Sequence, residues 1–258
     1  MNQNLLPFFL MKSRFIWTSL FLFLHGVSAV ETDVLSVSVM EGDSITLNTG
    51  FETNQQDDIK WYFSATRIAQ ISGDLSKTCT DIQCNKGTER FKDRLKLDHQ
   101  TGSLTITNIT DSGLYQLRII SIRKSSEKTF NVTVHDNTAN ERDQMQRKSV
   151  KEGESVTLDT AVMKNPEDLM TWYFKDICIA EISDYLCKTC TDVQCNEGTG
   201  RFRDRLKLDH QTGSLTIRNI TNTDSGLYKL QIISSRICIM RNFSVSVIAH
   251  SDDAIYKY

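Results

Sequence analysis

Beyond residue 30, apolar side chains recur at every second position, mostly with polar residues between them. Val37 and Val39, Ile45 and Leu47, Leu104 and Ile106, then Tyr115, Leu117 and Ile119 follow this rule. Turn-forming groups separate the runs: Gly42-Asp43, Gln100-Thr101-Gly102 and Asp111-Ser112-Gly113. Period-two runs bounded by such groups predict antiparallel strands with one buried face, and many of them in succession predict a β-sandwich. Outside the first 29 residues no ten-residue stretch keeps an apolar stripe at helical spacing, so an all-β class is expected.

The pattern occurs twice. Cys79-Thr-Asp-Ile-Gln-Cys84 returns as Cys190-Thr-Asp-Val-Gln-Cys195, offset by 111, and from Cys79 to Thr107 against Cys190 to Arg218, 24 of 29 positions are identical. Trp61-Tyr62-Phe63 matches Trp172-Tyr173-Phe174 at the same offset, and Asn222-Thr223 is an insertion that moves it to 113 for Tyr115 and Tyr228. A unit of this length is a domain rather than a solenoid repeat, so the chain is a tandem duplication.

The first residues read differently. Lys12 and Arg14 precede the apolar run Phe15 to Leu24, and Val27-Ser28-Ala29 supplies small residues at cleavage spacing. This predicts a secretory signal peptide over 1–29; the run is about half the ~20 residues a membrane span needs. All seven cysteines follow it and are expected to meet an oxidising compartment, where disulfides are the default. The end, residues 249–258, is a polar tail. The expected location is extracellular, as a secreted chain or on the outer side of the plasma membrane in a longer isoform. Two prolines exclude collagen-like and mucin-like stalks, and a net charge of −2 provides no field to gather nucleic acid.

Three features in each unit resemble the variable-type domains of the immunoglobulin superfamily. They are a Trp (Trp61, Trp172) followed by a second short strand (Ile68 to Ile71, Ile179 to Ile182), a Gly-Ser-Leu-Thr-Ile segment, and Asp-Ser-Gly-Leu-Tyr ending at Tyr115 and Tyr228. The resemblance implies two tandem antiparallel sandwiches of V type, residues 30–135 and 148–248, joined by a polar linker over 136–147. It implies a tyrosine corner at Tyr115 and Tyr228, with the corner Asp111 or Asp224 paired to Arg94 or Arg205, Arg90 and Arg201 being rivals. The family's inter-sheet disulfide is replaced in both units, by Leu47 and Leu117 and by Leu158 and Leu230. Lymphocyte adhesion receptors of the signalling lymphocytic activation molecule type include domains lacking this bridge, and the chain is similar to them.

Cys79 with Cys84 and Cys190 with Cys195 are expected to form local bridges, since four intervening residues can bring two α-carbons within the ~4.4–6.8 Å required. Of the remaining three, Cys178 and Cys238 are expected on one sheet and able to pair; Cys178 with Cys187 is an equal rival. Either choice leaves an odd thiol, which points to a disulfide-linked dimer. Cys187-Lys-Thr-Cys190 lacks the helix start of a redox centre and no histidine pair follows for zinc, so no metal or cofactor is expected.

No G-x-S-x-G, H-E-x-x-H, P-loop or G-x-G-x-x-G occurs, and an enzyme is not expected. His99 and His210 read as exposed turn residues, Asp57-Asp58 as a solvated loop and Arg90 to Lys96 as a solvated edge. Sequons stand at Asn108, Asn131, Asn219 and Asn242. Sugars on Asn108 and Asn219, near the corner, are expected to point away from the sheet of strands lettered C, C′, F and G. By resemblance that sheet is the protein-binding face, with Tyr62, Gln116 and Arg118 as contacts and Tyr173, Lys229 and Gln231 as their counterparts. The expected function is immune-cell adhesion or recognition through another cell-surface or secreted protein, an immunoglobulin-superfamily member among the candidates. The alternative is a soluble decoy or structural protein with no signalling of its own.

Overall fold

The computed structural model describes residues 34–50, 57–72, 75–78, 89–121, 125–136, 139–161, 165–183, 186–189 and 200–249. The expected signal peptide, the cysteine pairs 79/84 and 190/195, and the tail from residue 250 lie outside the described residues.

The first repeat forms β1 (Val34–Met40), β2 (Ser44–Leu47), β3 (Asp58–Phe63), β4 (Thr66–Ser72), β5 (Leu75–Thr78), β6 (Leu95–Leu97), β7 (Leu104–Ile106), β8 (Gly113–Ile120) and β9 (Ser125–His135). An eight-residue helix, α1 (Ala139–Gln146), occupies the linker. It carries no apolar stripe, which is why periodicity did not announce it; an Arg147 Nε–Asp143 Oδ1 pair at 3.0 Å adjoins its end. The second repeat forms β10 (Arg147–Lys151), β11 (Val156–Leu158), β12 (Leu169–Phe174), β13 (Ile177–Ser183), β14 (Leu186–Thr189), β15 (Leu206–Leu208), β16 (Leu215–Ile217), β17 (Gly226–Ser234) and β18 (Ile237–Ile248).

In the first repeat the sheet β1-β9-β8-β3-β4-β5 faces β2-β7-β6. In the second, β14-β13-β12-β17-β18, with β10 beside β18, faces β11-β16-β15. Between each pair of sheets lie the residues that alternation had marked. Trp61, Tyr115, Leu47 and Leu117 in one repeat and Trp172, Tyr228, Leu158 and Leu230 in the other are all fully buried. The indoles are not orphaned: Trp61 Nε1 donates to the Gly102 carbonyl at 2.8 Å and Trp172 Nε1 to that of Gly213 at 2.9 Å. Leucines thus stand where the family's cystines would.

The corner after β7 and β16 is built as the motif implies. Tyr115 OH donates to the Asp111 carbonyl at 3.1 Å, and Tyr228 OH to that of Asp224 at 2.8 Å. The motif glycine is needed for close approach: Gly113 has φ +152°, and a Cβ there would lie 2.9 Å from the Phe63 ring. Both arginine candidates reach the first corner, Arg94 Nη2 at 2.9 Å and Arg90 Nη1 at 3.2 Å from the Asp111 carboxylate. In the second corner only Arg205 binds the carboxylate, at 2.9 Å, while Arg201 donates to the Thr223 carbonyl. The basic run is therefore partly an anchor rather than merely a solvated edge.

The two sandwiches are not separate beads. The first half of β18 pairs antiparallel with β2, setting Ile237 opposite Leu47, Cys238 opposite Thr46, Ile239 opposite Ile45 and Met240 opposite Ser44. A single sheet thus runs β14-β13-β12-β17-β18-β2-β7-β6 across both repeats. Directly opposed residues share a face, so the inward faces of both repeats lie on one side of it. At this joint Arg241 Nη2 meets Asp43 Oδ2 at 2.7 Å and Nε meets Oδ1 at 2.9 Å, with both side chains almost wholly buried. Arg241 also donates to the Thr160 carbonyl, and the Arg236 carbonyl accepts from Asn48 N–H at 2.9 Å.

Arg241→Ala leaves Asp43 buried without its guanidinium and is expected to cost ~3–5 kcal/mol in chemical denaturation, whereas Arg241→Met with Asp43→Leu recovers most of that loss. A second expectation concerns acid. Burial alone raises the Asp224 carboxyl, but bonds from Arg205 and from the Thr221 N–H and hydroxyl outweigh it and hold the group below its ordinary 3.8. Its contribution is therefore present above about pH 4 and lost as pH falls through the lowered folded value. In urea titrations across this range Asp224→Asn is expected to flatten the acid limb; an unchanged limb would place the acid sensitivity elsewhere.

Candidate functional site

Alternation along β3 and β8 sends Trp61, Phe63, Tyr115 and Leu117 inward and Lys60, Tyr62, Gln116, Arg118 and Ile120 outward. Register arranges the outward set in rows. Tyr62 opposes Gln116, which opposes Thr129; Lys60 opposes Arg118, which opposes Glu127. The structure thus brings together the three expected contacts, Tyr62, Gln116 and Arg118, on neighbouring strands. The Arg118 guanidinium lies 5.0 Å from the Tyr62 ring centroid and its Nε donates to Glu127 Oε1 at 3.3 Å. Those charged side chains are 49% and 44% exposed, so the pair adds little to stability and holds its geometry at the surface. Lys60 pairs with Asp58, whose other oxygen accepts from Gln70 Nε2 at 3.3 Å, and Ile120 is 48% exposed beside them. The face combines both charge signs, an aromatic ring and an exposed aliphatic side chain.

The counterpart face has diverged. Its matching row is Thr171, Gln231 and Met240 instead of Lys60, Arg118 and Glu127. Thr171 is buried; Tyr173 OH donates to Gln231 Oε1 at 3.1 Å, and Gln231 Nε2 approaches Cys238 Sγ at 3.5 Å. Burial, reinforced by the nearby Cys178 thiol, raises the Tyr173 phenol above its ordinary value. Lys229 Nζ reaches Asp176 Oδ1 at 2.6 Å.

The expected Cys178–Cys238 bridge is not made. Both residues lie on one sheet, but β12 and β17 stand between β13 and β18. Three strand spacings of ~4.8 Å put the two strands ~14 Å apart, beyond the reach of a disulfide. The rival finds no support in the register, which sets Cys187 opposite Ile182 while Cys178 lies opposite Tyr173. Burial raises the Cys238 thiol, against a lowering bond from Gln231.

Asn108 and Asn219 are exposed at the corners, with φ +50° and +47°. The other two sequons fall on the candidate faces themselves: Asn131 on β9 opposes Leu114, and Asn242 on β18 opposes Lys229. That placement was readable from the buried Phe130 and Phe243 beside them, whose alternation turns each Asn outward.

Groups that suggested chemistry have structural partners. Asp57 accepts from Ser121 Oγ at 2.7 Å, Asp58 pairs with Lys60, and His99 and His210 are exposed in turns. A cleft of about 760 Å³ opens between β1 and the second repeat over an apolar floor including Ile232, Ile237 and Ile239. Its buried acid, Asp168, accepts from Asn165 N and Nδ2 at 3.1 and 3.0 Å. Among the described residues no cluster of His, Cys, Asp and Glu is placed to hold a metal ion, and no helix is long and apolar enough to cross a membrane.

Comparison with known folds gives three representative likenesses. The first Ig-like domain of human CD48 antigen is 22% identical over 43% of this chain and 89% of its own, with a TM-score of 0.35. The IgV-like domain of human B7-H4 is 20% identical over 40% and 91%, with a TM-score of 0.33. The titin I-band fragment I67–I69 is 17% identical over 84% and 64%, with a TM-score of 0.29, so the chain spans a little under two thirds of that fragment. The model of the immunoglobulin V-set domain matches twice, at residues 32–135 and 144–247. With that match in both repeats, around the same buried Trp and tyrosine corner, the chain belongs to the immunoglobulin V-set family.

Proposed function

We propose that the chain is an extracellular, non-enzymatic recognition protein that binds another cell-surface or secreted protein through the outward face of β9, β8, β3 and β4. The observation that carries this reading is the Tyr62–Arg118 pair, a half-buried ring and an exposed guanidinium already held together at 5.0 Å. Tyr and Arg are the residue types that dominate interface energetics, and a pre-formed pair loses less side-chain entropy on docking. The joint between repeats supports it by position. It occupies β2 and β18, and β2 lies in the sheet opposite this face, which stays clear. Four sequons and the local cysteine pairs Cys79/Cys84 and Cys190/Cys195 fit an oxidising, secretory route. Adhesion or recognition among immune cells is the setting we assign, with a soluble form acting as a decoy as the alternative.

A tetramerised ectodomain is expected to stain a subset of leukocytes, and cross-linking to identify one surface protein. Tyr62→Ala and Arg118→Ala are each expected to weaken binding to that protein by ~10- to 30-fold, the scale of an interface anchor. Lys96→Ala and Lys207→Ala, on the other sheets, are expected to leave it unchanged. Unaltered binding by the first two variants would remove this face from the reading.

A further inference from the structure

We propose that an N-linked glycan on Asn242 covers the outward face of the second repeat, leaving the first repeat's face as the one open to a partner. The second half of this statement rests on the recognition reading above; the first half does not.

Asn242-Phe243-Ser244 lies within β18. Phe243 is fully buried against Trp172, with ring centroids 5.1 Å apart, so strand alternation turns Asn242 to the outside, where it is exposed. Register puts Asn242 opposite Lys229, and Lys229 opposite Tyr173. At ~4.8 Å per strand the glycan root lies ~5 Å from the Lys229 strand and ~10 Å from that of Tyr173. A bulky sugar chain rooted there rises from the middle row of the face.

The duplication supplies the control. Tyr228 opposes Phe243 as Tyr115 opposes Phe130, so Asn242 occupies the place of Thr129. Thr129 is buried and bears no sequon. The first repeat's sequon on this sheet, Asn131, is displaced by two residues, opposite Leu114 and beside Ser36 of the edge strand β1. A glycan there stands at the margin, over an exposed leucine, and two rows from Arg118.

The chemistry beneath each sequon agrees. The row next to Asn242 has Thr171, Gln231 and Met240 across its three central strands and Glu181 beyond Thr171, and it is followed by the half-buried Cys238 thiol opposite Ile233. A thiol on a sheet face in an oxidising compartment is open to oxidation and to pairing between chains, and a covalently attached polar cover suppresses both. In the first repeat Ser125 stands in the place of Cys238, so its face has no such need.

The test uses the intact glycoprotein from animal secretory cells. Peptide mapping is expected to find Asn242 occupied. Pulse acetylation of lysines and pulse alkylation of thiols then compare wild type, Asn242→Gln and wild type after enzymatic glycan removal. Lys229 and Cys238 are expected to react several-fold faster once the Asn242 glycan is gone, with Lys60 unchanged. Glycan removal from folded protein keeps the comparison valid if Asn242→Gln is not secreted. An unoccupied Asn242, or equal rates with and without its glycan, overturns the proposal. Neither readout needs a partner, so that failure leaves the Tyr62–Arg118 reading to its own binding assay.

Discussion

The arrangement of the whole molecule depends on one strand pairing, β18 against β2, and on the ion pair buried beside it. An edge strand offers unsatisfied N–H and C=O groups, and a protein must cover or blunt it. Here the open edge of one repeat covers the open edge of the other, and eight strands become a continuous sheet with β10 alongside. Arg241 is the pin. Its guanidinium satisfies Asp43 twice and the Thr160 carbonyl once, joining the first repeat's turn to the second repeat's sheet.

Comparing the repeats shows why the joint forms in this direction. Lys128 stands where Arg241 does and bonds the Thr49 carbonyl, as Arg241 bonds that of Thr160. Glu154 stands where Asp43 does, and its carboxylate accepts from Lys151 N–H as that of Asp43 accepts from Met40 N–H. A lysine lacks the planar fork that holds a carboxylate by two parallel bonds. Ile239 is replaced by Ser126, so the first repeat's edge has less apolar surface to bury. Burying an isoleucine contributes ~1.5–3 kcal/mol and a serine gives almost none of it. One edge is built to be covered and its copy to stay in water, and the sheet bearing Tyr62 and Arg118 keeps its outer face free.

The sandwiches themselves stand on packing where the family uses a covalent bond. A disulfide closing a loop of ~70 residues is worth roughly 4 kcal/mol in the chain-entropy account. Two buried leucines at its ends contribute ~1.5–3 kcal/mol each, so Leu47 with Leu117, and Leu158 with Leu230, offset the loss. The replacement holds only because both partners changed together; one leucine against one cysteine would leave a void or a clash in a core packed around Trp61 or Trp172.

Much of this was legible in the chain because it is local. Period two marks the strands, the Asp-Ser-Gly-Leu-Tyr segment marks the corner, and the duplication marks the domains. What escaped depends on which strand lies beside which. Cys178 and Cys238 fall on one sheet as the family resemblance implied, yet two strands separate them, and nothing in their spacing carries that information. The Asp43–Arg241 pair spans 198 positions, and neither residue's local pattern names the other. The outward turn of Asn131 and Asn242 lies between these cases. It follows from the phenylalanine next to each, but its meaning depends on knowing which strands share the row. Position along a strand is written in the sequence; position across a sheet is written in pairings such as β18 with β2, and the faces acquire different chemistry only there.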